Sequence, residues 1–156
     1  MRGTLRAGLA VAVAGICAGI LPSIAGAAPS CTPVASPADE ATLAGLINAQ
    51  RRAEHVPKVV KQADLMRQGR KKSMAMAAGA KFAHSASGGL SFAHGGAGAQ
   101  NIAMAPTVQE AFQAMLDSPP HRANMMSKEY RLTGVGAARD CNGEIFFTVN
   151  LMAPPS

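Results

Sequence analysis

Two histidines, His84 and His121, stand in short polar segments that could form one site. They are Phe82-Ala83-His84-Ser85 and Ser118-Pro119-Pro120-His121-Arg122-Ala123-Asn124. Between them in the chain runs Gln100-Asn101-Ile102-Ala103, with an amide where a carboxylate would complete the chemistry. Imidazole nitrogens suit zinc, but a catalytic zinc normally takes three protein ligands and a water. Two histidines and an amide offer two good ligands and no negative charge, so His84 and His121 describe at most a weak divalent-metal site. An amide also cannot take a proton from water, which leaves the site without a general base. The expectation is a pair of neutral imidazoles at pH 7, hydrogen-bonded to Gln100 or to water. A place in the first turn of a helix would disfavour a charged His121 through the helix dipole.

Other chemistries find less support. Ser85 beside His84, or Ser118 three residues before His121, could be drawn as a dyad. Neither sits in a Gly-x-Ser-x-Gly elbow, and Ser118 reads better as a helix cap. Gly95-Gly96-Ala97-Gly98 lacks the Gly-Lys-Ser/Thr that a phosphate-binding loop requires. Methionines are frequent, and their flexible thioethers could line a groove for lipid tails or bind copper(I). With few aromatics and no tryptophan in the chain, the favoured reading is that methionine fills the core. His55 and His94 lack any motif around them and read as surface residues.

The elements that must position the histidines are legible from spacing. A first helix starts at Ser36-Pro37-Ala38-Asp39, with Ser36 as cap and Pro37 at the first helical position. Leu43, Leu46, Ile47 and Gln50 recur on its face, and Pro57 marks the exit. A second helix is predicted from about Gln62 to Ala80, burying Leu65, Met66, Gly69, Ser73, Met76, Ala77 and Ala80. Its small residues would allow close approach, while Arg67, Arg70 and Lys71 would face water. Ser85 to Ala99 reads as a loop. Thr107 and Glu110 form a capping box for a third helix burying Val108, Ala111, Phe112, Met115 and Leu116. Ser118-Pro119-Pro120 stops it and starts a short helix carrying His121. Strands over Leu132 to Arg139 and Glu144 to Leu151 are joined through Cys141-Asn142-Gly143, where Asn-Gly signals a hairpin.

The ends set the compartment. Arg2 and Arg6, an apolar run from Ala7 to Leu21, and Ala25-Gly26-Ala27 give the three-part pattern of an export signal over residues 1–27. That run is too short to span a bilayer as an anchor. Removing 27 of the 156 residues leaves 129, enough for one domain over 37–153 behind a tail at 28–36. The tail would be mobile except where Cys31 holds it. Cys17 leaves with the signal, so Cys31 and Cys141 remain to pair in an oxidising space. With Arg2 and Arg6 gone, 13 basic residues face 9 acidic ones, a net of +4. That balance suits anionic envelope polymers or lipid headgroups and does not indicate nucleic-acid binding.

Taken in order, Leu46-Ile47-Asn48-Ala49-Gln50-Arg51, Phe82-Ala83-His84-Ser85, Gln100-Asn101-Ile102-Ala103, the Ser118–Asn124 segment and Gly134-Val135-Gly136 resemble the CAP superfamily. This is the cysteine-rich secretory, antigen 5 and pathogenesis-related-1 domain, also called SCP, here in its bacterial secreted branch. The resemblance runs from about Ala41 to Leu151. It implies an α+β fold, a three-layer α-β-α sandwich ending in a β-hairpin. It also implies a cleft lined by two histidines and one or two glutamates. It maps the histidines onto His84 and His121, and the glutamate of the family's Gly-Glu-Asn motif onto Gln100. Ala99 replaces the glycine before it, and Met115 stands where relatives carry tryptophan. Asp117 and Glu110 lie near in sequence, but neither matches the second glutamate. Some members of the family bind a divalent metal in the cleft, and several bind sterols or other lipids. The expected function is a secreted binding module, without a resident cofactor, for an apolar or amphipathic envelope ligand at His84, Gln100 and His121. The alternatives are a metal-dependent envelope hydrolase and an envelope interaction protein.

Overall fold

The structure, a computed structural model, describes residues 31–85 and 97–154. The signal segment, the start of the tail, most of the Gly- and Ser-rich loop and His94 lie outside the described residues. Among the described residues four helices and five strands follow in the order β1 (Val34–Ala35), α1 (Pro37–Ala53), β2 (Val60–Lys61), α2 (Ala63–Ala77), β3 (Gly98–Ala105), α3 (Val108–Asp117), α4 (Pro119–Met126), β4 (Leu132–Arg139) and β5 (Ile145–Met152).

The strands make one sheet in the order β1-β4-β5-β3. The β4–β5 hairpin is its centre, and β3 runs antiparallel to β5 through all eight residues, from Gly98 opposite Met152 to Ala105 opposite Ile145. The far edge of β4 is shared. β1 pairs antiparallel with its C-terminal end, at Arg139 and Ala138, and β2 pairs parallel with its N-terminal end, at Leu132 and Thr133. Side chains alternate across a strand, so β5 divides two cores. Ile145, Phe147, Val149 and Leu151 face α1, α3 and α4, together with Leu43, Ile47, Met115 and Met125. Phe146 faces α2, with Met76, Ile102 and Ala138. The result is the three-layer α-β-α sandwich, and four methionines (Met76, Met115, Met125 and Met152) are buried as core filler.

α2 lies on β4 with backbone against backbone. A methyl group at Gly134 would come within 2.1 Å of the Leu65 carbonyl carbon, and one at Gly136 within 2.1 Å of that of Gly69. The small face of α2 and the Gly134-Val135-Gly136 strand are therefore two halves of one contact. Ser73, fully buried, fixes it by donating its one hydroxyl proton to the Gly136 carbonyl (3.0 Å) and accepting from the Thr148 hydroxyl (2.9 Å).

Several local expectations change. β3 starts at the end of the predicted loop, at Gly98 and Ala99, and runs on through residues for which the sequence predicts no element. The tail is held at two points: Cys31 bonds Cys141 at the hairpin tip, with Cα atoms 5.7 Å apart, and Val34–Ala35 joins the sheet. Closing 110 residues between the cysteines removes unfolded-chain entropy worth about 4–5 kcal/mol. Ser36 and Ser118 occupy N-cap positions, yet neither hydroxyl caps; Ser36 donates to Asp39 instead (2.6 Å), and proline at the first helical positions starts both helices. α1 ends at Ala53, ahead of Pro57, and just beyond it His55 takes a left-handed φ of 55°. That conformation brings the Val56 N–H to the Arg51 carbonyl. α2 stops at Ala77, leaving Ala80 exposed. Arg70 does not simply face water: it clasps the buried carboxylate of Glu40 on α1 with two nitrogens, which raises its pKa above the ordinary value. Thr107 does cap α3, accepting the Glu110 N–H at 3.2 Å. The hairpin turn needs five residues, with Gly143 at φ 93° and Asp140 accepting the N–H groups of Asn142 and Glu144.

Candidate functional site

β3 is the terminal strand of the sheet, and its alternation sends neighbouring residues of the Gln100-Asn101 pair to opposite faces. Asn101 points toward α4 and is fully buried. Its amide donates to the backbone carbonyl of His121 (2.8 Å), and its oxygen accepts from the Asn124 amide (2.9 Å). One side chain on the strand thus fixes both the first turn and the middle of α4. From the other side Arg122 pairs with Glu54 at the end of α1 (2.7 Å). Arg51, fully buried, donates to the carbonyls of Pro57, Met125, Ser127 and Tyr130. Its guanidinium satisfies carbonyls that the end of α4 leaves open. Asn48 bonds both the N–H and the carbonyl of Val59. The residues that resembled a family signature around Arg51, Asn101 and Asn124 are therefore scaffold for His121. Their signal in the sequence was polar residues inside otherwise apolar helical and strand segments.

Gln100 points toward α2, into a network that uses its whole amide. Its oxygen accepts the Ser85 N–H (3.1 Å), and its nitrogen donates to the Asn150 side-chain oxygen (3.0 Å) and, at 3.4 Å, to the Ser85 hydroxyl. Asn150 is buried, and its own amide donates to the Leu65 carbonyl (3.0 Å), which fixes its orientation. Among the described residues no hydrogen bond joins Gln100 to either imidazole, so of the two expected partners, Gln100 or water, the amide is taken up elsewhere. Gln100 instead clips the chain after α2 to β3, and so holds His84 beside the strand end.

The His84 and His121 rings meet edge to face, centroids 6.4 Å apart and planes inclined at 62°. His84 is exposed and His121 half-buried. Burial first, and the neighbouring His84 second, push the His121 pKa below the usual histidine value. Asp117 accepts from Gln113 on the exposed face of α3 (2.8 Å), and Glu110 sits at the exposed start of that helix. Among the described residues no three His, Cys, Asp or Glu side chains cluster to hold a metal ion. Two imidazoles beside an amide already committed to Ser85 and Asn150 do not fit a resident zinc, which needs a third good ligand and charge compensation.

The structure is an α-β-α sandwich that brings the His84 and His121 rings together. The chain belongs to the CAP, or cysteine-rich secretory protein, family, whose model matches residues 44–151. Solved structures share the fold. An outer surface protein from Borrelia burgdorferi superposes with a TM-score of 0.70 at 12% identity, covering 78% of this chain and 96% of that one. An extracellular protein containing a SCP domain from Bacillus anthracis gives 0.62 at 19% identity, over 75% of this chain but 41% of its own. Venom allergen-like protein 4 from Schistosoma mansoni gives 0.58 at 12%, covering 74% and 86%. At these identities the likeness is one of fold. Comparison with curated proteins gives no match. No helix among the described residues is long and apolar enough to cross a membrane.

Proposed function

We propose that the chain is an exported binding module for an apolar or amphipathic envelope ligand, and that it has no hydrolytic role. The observation that carries this reading is the state of Gln100. The position that the family resemblance assigns to a carboxylate holds an amide, and that amide is engaged at both its oxygen and its nitrogen by Ser85 and Asn150. Among the described residues the histidine pair is left with no base to activate water and no third ligand for a metal. The apolar character of the ligand is supported by two large side chains on the α2 side of β3. Phe82 is 46% exposed and stacks edge-on against Phe146, with ring centroids 6.3 Å apart; Met104 is 52% exposed in the register pair with Phe146.

Solvent extraction and mass spectrometry of the purified exported protein test the reading. A stoichiometric lipid, or uptake of lipid on incubation, is the expected result. No lipid in either experiment would favour an interaction protein instead. Zinc calorimetry tests the non-metal part: micromolar binding that is lost in His121→Ala would restore the hydrolase alternative.

A further inference from the structure

The 45 residues from Leu65 to Gln109 contain no Asp or Glu and five Lys or Arg. Two of those cations are neutralised by acids from elsewhere: Arg67 pairs with Asp64 (2.6 Å), and Arg70 with Glu40. Lys71 and Lys72, next on the same helix, have no ion-pair or hydrogen-bond partner among the described residues. They line an open groove of about 320 Å³ between α2 and the chain at Ser85 and Gln100. Among the described residues no carboxylate lines it. The Ser85 hydroxyl accepts from Gln100, and among the described residues nothing takes its own proton, which can donate into the groove. Among the described residues the charged groups lining it are the two ammonium groups, with one hydroxyl beside them, a set that fits an oxyanion and repels a cation.

We propose that this groove is an oxyanion pocket that takes the phosphate of an anionic amphiphile through Lys71, Lys72 and Ser85. The proposal rests on the amphipathic-ligand reading above and names the head that such a ligand would carry. Geometry gives the direction of the tail. Gln100 and Met104 face the same side of β3 and lie four residues apart, about 13 Å along the strand. A phosphate at Lys71 and Lys72 would therefore leave an apolar chain to run toward the exposed Met104 and Phe82.

Co-sedimentation of the full exported chain, disulfide intact, with vesicles tests the proposal. The vesicles are phosphatidylcholine alone or with phosphatidylglycerol, and the variants are Lys71→Gln/Lys72→Gln and, as a charge-matched control, Lys58→Gln/Lys128→Gln. Removing the two groove lysines should weaken binding to phosphatidylglycerol vesicles about 25-fold, roughly fivefold per lysine. The control pair should change it by less than about twofold. Release by glycerol phosphate, beyond that by sodium chloride of equal ionic strength, marks the phosphate group alone as sufficient. Lysine-dependent binding without release marks phosphate presented on a lipid surface; both results uphold the pocket. Equal loss in the two double variants, or no preference for phosphatidylglycerol, overturns it. Lipid recovered in the extraction experiment without a phosphatidylglycerol preference removes the pocket and leaves the binding module. Lysine-dependent binding of glycerol phosphate with no lipid recovered or taken up retains the pocket and removes the amphiphile.

Discussion

Gly136→Ala should be among the most damaging single-methyl additions to this protein. The new methyl would sit 2.1 Å from the Gly69 carbonyl carbon and 2.3 Å from the Arg70 nitrogen and the Gly69 oxygen. All three are helix backbone atoms, so no rotamer change relieves the clash. Ordinary carbon contacts lie near 3.5–4.0 Å, and α2 must lift by roughly 1–1.5 Å to reach them. Lifting stretches the two buried bonds of Ser73, to Gly136 and Thr148, each worth about 1 kcal/mol net. Overpacking adds about 1–3 kcal/mol. The sum, about 3–5 kcal/mol, corresponds to a fall in Tm of roughly 10–20 °C for a domain of this size. Thermal unfolding followed by far-ultraviolet circular dichroism, with the disulfide oxidised, measures it. Two further glycines calibrate the result. Gly69→Ala, whose methyl first meets Gly136 nitrogen at 2.9 Å, should cost less. Gly45→Ala, exposed in α1 with open space around it, should stabilise by about 0.5–1 kcal/mol. A Gly136→Ala protein melting within about 3 °C of wild type would refute the reasoning.

Arg51→Met should cost about 3–5 kcal/mol in denaturant unfolding, because four carbonyls lose their donor together; Arg51→Lys should recover only part, since one ammonium cannot span them. Gln100→Glu should destabilise by about 1–3 kcal/mol at pH 7, as a carboxylate would face the Asn150 oxygen that Leu65 holds in place. Lowering the pH should shrink that difference, because a protonated carboxyl regains a donor; melting temperatures at pH 7 and about pH 4.5 decide it. For His121 the folded pKa lies below the unfolded value of about 6.5, so the unfolded chain binds the proton more readily. Stability should be full above about pH 6.5 and decline as the pH falls from there through the lower folded pKa. His121→Gln should flatten that decline between about pH 7.5 and 5.5, and an unchanged slope would count against it.

The helices and the hairpin were legible because each carries a local signal. Val108, Ala111 and Met115 repeat at helical spacing behind a threonine cap, and β4 and β5 flank an Asn-Gly turn. β3 was not legible. Its Asn101-Ile102-Ala103-Met104-Ala105 run has one β-branched residue and no clean alternation, and it is a strand because β5 pairs with it. The two serine caps misled because proline at the next position already starts a helix without help from the hydroxyl. Arg70 was read as solvated because nothing local reveals a carboxylate 30 residues away.

For the site, the sequence by itself determined the residue types: two histidines, an amide where the family resemblance puts a glutamate, and a long acid-free stretch, Leu65 to Gln109, around His84 and Gln100. Those are covalent facts, and the proton-transfer and ligand chemistry they allow follows from functional groups alone. Only the tertiary structure decided what each group does. Alternation along β3 sends Asn101 to hold α4 and Gln100 to hold Ser85. The amide is engaged at both its oxygen and its nitrogen by partners 15 and 50 residues away, and the two ring centroids come within 6.4 Å. Which donors are already used, and which, like Lys71 and Lys72, have no partner among the described residues, is set by contacts between segments distant in sequence, and no local pattern encodes it.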